Sequence, residues 1–200
     1  MRAVVLHRPG SVDELVIEER PLPVHDGWVR IRVEAFGINR SELHLRLGYA
    51  EGVAFPRVPG IECVGTVDAA PPESGFEVGQ KVVALMGGLG RQFDGGYAEY
   101  TVVPAKQVLP IRTDLPWEIV GAVPEMLQTA FGSLTVGLDL QAGQTVLIRG
   151  GTSSVGLAAA GLARDRGATV LATMVGQTVD ALTAGVVDAR GRIGIVERAT

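Results

Sequence analysis

The most legible chemistry lies between Gly143 and Gly156, where the chain reads Gly-Gln-Thr-Val-Leu-Ile-Arg-Gly-Gly-Thr-Ser-Ser-Val-Gly. A short apolar run, a glycine turn and the opening of a helical stretch follow one another. That order gathers backbone N–H groups and the positive end of a helix dipole around one point, which suits a phosphate. Read against the spacing G-x-G-x-x-G, the positions are Gly151, Ser153 and Gly156, so serine stands in the middle place. The spacing alone is a weak signal, and its placement between strand and helix is a stronger one. Gly150, Gly151, Thr152, Ser153, Ser154, Val155 and Gly156 are the candidate phosphate residues, with the hydroxyls of Ser153 and Ser154 as further donors. The plain alternative is a tight strand-to-helix turn that holds no ligand.

Elsewhere reactive side chains are sparse. Cys63 is the only cysteine, which excludes an intrachain disulfide and any multi-cysteine zinc or iron–sulfur site. His7, His25 and His44 lack ligand-like spacing, and Lys81 and Lys106 are the only lysines, so Schiff-base chemistry has few candidates. A formal charge of −4 gives no basic field for nucleic acid or an anionic membrane. No apolar run is long enough to span a bilayer. The segment Met1–Arg8 turns polar too soon for a secretory signal, so the expected setting is a soluble cytoplasmic one. A hydrophobic fraction of 46% can fill a core.

The elements that must position these residues fall into two kinds. Through the first hundred or so residues the pattern is β-rich. Val29, Ile31 and Val33 alternate with Arg30, Arg32 and Glu34, and Ala98, Tyr100 and Val102 alternate with Glu99 and Thr101. Lys81–Leu85 is an apolar run bounded by glycines. Near Pro116 the period changes. Leu127, Ala130, Phe131 and Leu134 share one helical face. A strand through Val146–Ile148, a helix carrying Val155, Ala159 and Leu162 and ending at Gly167, and a second strand over Thr169–Thr173 make one βαβ unit. The fold class is α/β: a β-rich domain over residues 1–115 and a nucleotide-binding part over 116–177, with 178–200 as a candidate completion of the first.

Several segments, taken in order, resemble the zinc-independent quinone oxidoreductase (zeta-crystallin-like) branch of the medium-chain dehydrogenase/reductase superfamily. They are Gly37-Ile38-Asn39-Arg40-Ser41-Glu42, Pro59-Gly60-Ile61-Glu62-Cys63-Val64-Gly65-Thr66-Val67, Gly95-Gly96-Tyr97-Ala98-Glu99-Tyr100 and Gln128-Thr129-Ala130. Val146 through Gly156, with Gly167-Ala168-Thr169-Val170 after it, completes the series, and the resemblance covers roughly residues 1–173. It implies a chaperonin-10-like partial barrel bearing the substrate site and a Rossmann domain beside it, with substrate in the cleft. The family's alcohol dehydrogenases place a zinc-binding cysteine where this chain has Asn39 and a histidine where it has Ile61, and neither residue replaces such a ligand. No metal is therefore expected.

The resemblance also implies the reaction: hydride transfer from NADPH, with NADH as the alternative cofactor, to a quinone or an α,β-unsaturated carbonyl compound. Such acceptors are electrophilic without a Lewis acid, and hydrogen bonds at the carbonyl oxygen stabilise the enolate. Asn39 is placed to donate to the substrate carbonyl or the cofactor amide, or else serves as a turn-capping residue. Tyr49 lies near the family's active-site tyrosine, or else packs a loop, and Glu62 is read as ordering the cleft wall. Thr129 and Thr173 join the glycine turn in the cofactor set. Met174-Val175-Gly176-Gln177, after the second strand, carries no charge to select between the two cofactors. A complete Rossmann domain needs about 30 residues for each βαβ unit, whereas Met174–Thr200 leaves only 27 residues. The expectation is thus a shortened nucleotide domain with an exposed sheet edge, covered in a homodimer or larger assembly, or a non-catalytic remnant of the family.

Overall fold

The computed structural model describes residues 1–173, and the expectations for the cofactor-selecting residues 174–177 and for 178–200 lie outside the described residues. The chain divides into two compact units, Met1–Glu125 and a second beginning at Met126.

In the first unit, β1 (Arg2–Leu6) pairs antiparallel with β2 (Leu15–Glu19). β3 (Trp28–Ala35) leads through Asn39 into α1 (Arg40–Arg46), and β4 (Glu62–Ala69), β5 (Lys81–Leu85), β6 (Tyr100–Pro104) and β7 (Val108–Pro110) follow. Five of these strands form an antiparallel sheet in the order β6-β3-β4-β5-β7. α2 (Trp117–Val120) closes the series.

The alternation read in β3 sets its inner face: Val29 and Ile31 are fully buried, and Arg30 reaches outward to Asp68 at 2.6 Å. β4 is buried on both faces. Cys63 and Val67 join Val29, Ile31, Val82, Ala84, Leu89, Val103 and Val108 on one side. Val64, with Val83 and Leu85, packs on the other against Trp117 and Val120 of α2. Each fully buried Val or Leu contributes about 1.5–3 kcal/mol. By the same alternation Glu62 shares the Val64 face, so a carboxylate enters the sheet on the side that α2 covers.

β6 departs from its expected face. Thr101 and Val103 point inward, while Tyr100 and Val102 are half-exposed. Ala98 is buried, but it precedes the strand, bridging Ala3 in a separate cluster with Val5 and Val58. The apparent alternation from Ala98 onward therefore spans two different packing environments.

The second unit is built on α3 (Pro124–Gly132), which starts just before the division and continues as a π-helical turn over Ser133–Gly137. β8 (Thr145–Arg149), α4 (Ser154–Asp165) and β9 (Thr169–Thr173) follow. β8 and β9 are parallel, with Thr145 opposite Thr169 and Arg149 opposite Thr173. Ala130, Leu134, Leu140, Val146, Ala159, Ala163 and Ala168 form the core, with Val155 and Leu162 packed against it. Of the expected α3 face only Ala130 and Leu134 are buried, and Leu127 and Phe131 remain exposed. The alanines of α4 offer a narrow surface that one strip of α3 fills. α4 ends as its glycine indicates: Gly167 has φ +77°, its N–H donates to the Arg164 carbonyl, and Ala168 N–H donates to that of Ala163. These two bonds make a Schellman motif.

Candidate functional site

Asn39 is the N-cap of α1 and forms a capping box with Glu42, its side chain facing the Glu42 N–H while the Glu42 carboxylate takes the Asn39 N–H. Its Nδ2 donates to Glu62 Oε1 at 2.7 Å. The other carboxylate oxygen of Glu62 accepts the backbone N–H of Glu125, in the first turn of α3, at 2.8 Å. Glu42, one turn into α1, is spent on backbone: Oε2 accepts from Asn39 N–H at 2.8 Å and Oε1 from Ile61 N–H at 2.9 Å. Two carboxylates, 7% and 2% exposed, thus meet around one asparagine.

Their electrostatics follow from burial. Desolvation pushes the Glu42 carboxyl above its ordinary range, against the opposing pull of its hydrogen bonds and the Arg91 charge. Glu62 is raised for the same reason, opposed by the bonds from Asn39 and Glu125 and reinforced by the charges of Glu125 and Glu42. Burial and then these two carboxylates raise the neighbouring Tyr97 phenol. Burial lifts the Cys63 thiol to about 12. The space is shaped for the Glu62 carboxylate, because a Cβ at Gly37 would overlap Glu62 Oε1. Tyr97 stacks on Phe36 with ring centroids 4.4 Å apart, and both line an apolar cavity of about 260 Å³ with Val4, Ile17, Ala35 and Ala98.

In the second unit the glycine turn has the expected setting. Gly150, at φ +83°, takes a backbone conformation open chiefly to glycine. The N–H groups of Gly150 and Gly151 both donate to the Thr173 carbonyl, at 2.8 and 2.9 Å, which ties the turn to the end of β9. Ser153 is the N-cap of α4: its Oγ donates to Gly150 O at 2.8 Å and accepts from Gly156 N–H at 3.0 Å. A Cβ at Gly156 would overlap the Gly150 carbonyl oxygen and come within 2.8 Å of Gly151 Cα, so helix and turn touch because that residue has no side chain. The N–H groups of Ser154 and Val155 open the helix and have no intrahelical acceptor. A turn this close, at the head of a twelve-residue helix, is a fitting cradle for a phosphate.

The alcohol dehydrogenase GroES-like domain matches residues 25–113. The crystal structure of an NAD-dependent alcohol dehydrogenase superposes with a TM-score of 0.80 at 30% identity, covering 92% of this chain and 62% of that one. The quinone oxidoreductase from Thermus thermophilus, solved alone and with NADPH, superposes at 0.72 with 32% identity, over 87% of this chain and 53% of that one. The chain belongs to the medium-chain dehydrogenase/reductase superfamily. Among sequence relatives, squalestatin tetraketide synthase of Cochliobolus lunatus is 32% identical over 171 residues, 83% of this chain and 6% of that protein. The chain thus spans less than two thirds of the length of each of these relatives.

Within this medium-chain protein the predicted residues fall into separate groups. Asn39 joins Glu42 and Glu62, whereas Tyr49 sits exposed just beyond α1 with its ring edge against His44. Gly150 through Gly156 assemble as one turn, with Thr173 added through its carbonyl. Ser153's hydroxyl is engaged with backbone on both sides, Val155 turns its side chain to the core, and Thr152 and Ser154 are exposed. Thr129 is an exposed residue of α3 whose carbonyl accepts from Ser133 Oγ at 2.7 Å. Among the described residues no group of three or more His, Cys, Asp or Glu is assembled to hold a metal, and no helix is long and apolar enough to cross a membrane. Glu42, Tyr97 and the Glu125 N–H were missed as members of the Asn39 cluster. The sequence offered only acidic residues at 42 and 62 in segments that also carry glycines at 37 and 60, which does not mark them as buried partners.

Proposed function

We propose that this member of the superfamily reduces quinones or α,β-unsaturated carbonyl compounds with NADPH, NADH being the alternative donor, and without zinc. The observation that carries the reading is the β8–turn–α4 junction, where Gly156 brings the helix against the turn and leaves the Ser154 and Val155 N–H groups at its mouth. Those groups would hold the cofactor pyrophosphate, with Thr152 and Ser154 beside it and Thr129 in the same unit. When bound, the reduced nicotinamide supplies the hydride. The chain's own part is to hold phosphate, orient the acceptor and donate a hydrogen bond at its carbonyl oxygen, a role that falls to Asn39, with Tyr49 as a second polar group. Asn39 and Ile61 stand where a zinc site of the family needs thiolate and imidazole, which supports a metal-free reaction.

The quinone oxidoreductase solved with NADPH supports the cofactor class, and the NAD-dependent dehydrogenase keeps NADH open. Titrating the full chain with NADPH while following nicotinamide fluorescence, then adding a quinone or an enone, tests the proposal. Saturable binding followed by acceptor-dependent oxidation is the expected result. Binding without turnover would favour a non-catalytic member of the family. A homodimer completes the proposal, supported by Leu147 and Leu157 of the βαβ unit, which are 39% and 63% exposed. Light scattering at micromolar concentration should then give twice the chain mass.

A further inference from the structure

Asn39 and Glu62 carry complementary but unequal hydrogen-bonding groups. An ionised carboxylate only accepts, and a side-chain amide donates only from nitrogen. Glu62 Oε1 lies 2.7 Å from Asn39 Nδ2, and Oε2 is already taken by the Glu125 N–H, which belongs to a helix backbone and cannot turn. The base of Asn39 is fixed as well, since its own N–H is held by Glu42 at 2.8 Å. Asn39 as a residue is only half-buried.

We infer that Glu62 is a positioning residue for Asn39: its carboxylate takes one N–H of the amide while the capping box holds Oδ1 at the Glu42 N–H, which leaves the second N–H as a fixed donor. For what that donor meets, a carbonyl oxygen, the inference rests on the oxidoreductase reading. For the orientation itself it does not. The groups facing Glu62 are Glu42 from α1, Glu125 from α3, Cys63 from its own strand and Tyr97 from the segment before β6, with the Arg91 cation beside Glu42.

Glu62→Gln tests this with little change of shape. Glutamine offers one oxygen and one NH2 where two oxygens stood. The fixed Glu125 N–H claims the oxygen, so the NH2 faces Asn39 and the Asn39 amide must turn its Oδ1 inward. The measurement is the Asn39 side-chain 15N–1H pair in the labelled full-length chain. One proton of the pair is expected downfield of ordinary asparagine amides, and that displacement should be lost in Glu62→Gln while the backbone spectrum remains folded. An Asn39 pair that does not respond to Glu62→Gln overturns the inference. If the variant does not fold, acid titration of the wild type decides: the Asn39 pair should move with the Glu62 carboxyl carbon at one midpoint, and independent movement overturns it. NADPH titration of the same samples separates the two readings, because a chain that binds no NADPH sinks the oxidoreductase assignment while the amide response still reports on Glu62.

Discussion

The side-chain amide of Asn39 donates to the carboxylate of Glu62 at 2.7 Å, tying the start of α1 to the first residue of β4. Around this bond the sheet, α1 and the first turn of α3 meet through carboxylates rather than through apolar packing alone.

Glu42 holds two backbone N–H groups with two oxygens, and glutamine has only one oxygen to give. Glu42→Gln therefore leaves either Asn39 N–H or Ile61 N–H facing an NH2 group in a buried site. The expected loss is about 1–3 kcal/mol of stability at neutral pH, read from the midpoint of chemical denaturation. An unchanged midpoint would show that the two bonds do not support the fold.

The raised carboxyls of Glu42 and Glu62 make folding take up protons. The stability they contribute is complete below the ordinary glutamate value of about 4.3 and is lost as pH rises through their folded values. Thermal denaturation should thus shift upward as pH falls from about 7 toward about 5, with a shallower slope in Glu62→Gln. Glu99, lowered by Arg2, acts in the opposite sense, but it is exposed and weighs little. A melting temperature that falls steadily over that interval would contradict the burial argument.

Cys63 is fully buried, and its thiol is lifted to about 12. The thiolate is the reactive form, so alkylation at about pH 8 should be negligible in the folded chain and complete after denaturation. Mass spectrometry after a timed iodoacetamide pulse reads this directly. Rapid labelling of the native chain would mean that the first core opens readily.

Ser153 caps α4 through Gly156 N–H. Ser153→Ala should cost about 1 kcal/mol, the usual worth of an N-cap, measured as a shift in the unfolding of the second unit. The helix N–H groups of Ser154 and Val155 survive the change, so cofactor affinity should fall less than stability does.

Much of the second unit was legible because glycine punctuation and hydrophobic period coincide there. β8, α4 and β9 stand where the apolar runs, Gly150 and Gly167 place them. Lys81–Leu85 was equally plain, being apolar and bounded by glycines. The inner face of β6 was not legible, because Ala98 belongs to the β1 cluster while the strand starts at Tyr100. Period alone likewise placed Leu127 and Phe131 inside, although the facing surface admits only Ala130 and Leu134. The Glu62–Glu125 bond joins residues far apart in the chain, and nothing local in either segment marks the other. Asn39 was a candidate by type and position, but its partner was set by the pairing of β3 with β4 and by the close approach at Gly37.

The central claim, that the turn at Gly150–Gly156 holds a nicotinamide cofactor, is tested most directly by NADPH titration of the wild type and of Gly156→Ala. Nicotinamide fluorescence should saturate with the wild type. In Gly156→Ala, where the new Cβ overlaps the Gly150 carbonyl, affinity should fall about tenfold or more, roughly 1.4 kcal/mol, while Cys63 in the first unit stays protected. A folded wild-type chain that binds no NADPH at submillimolar concentration would contradict the account.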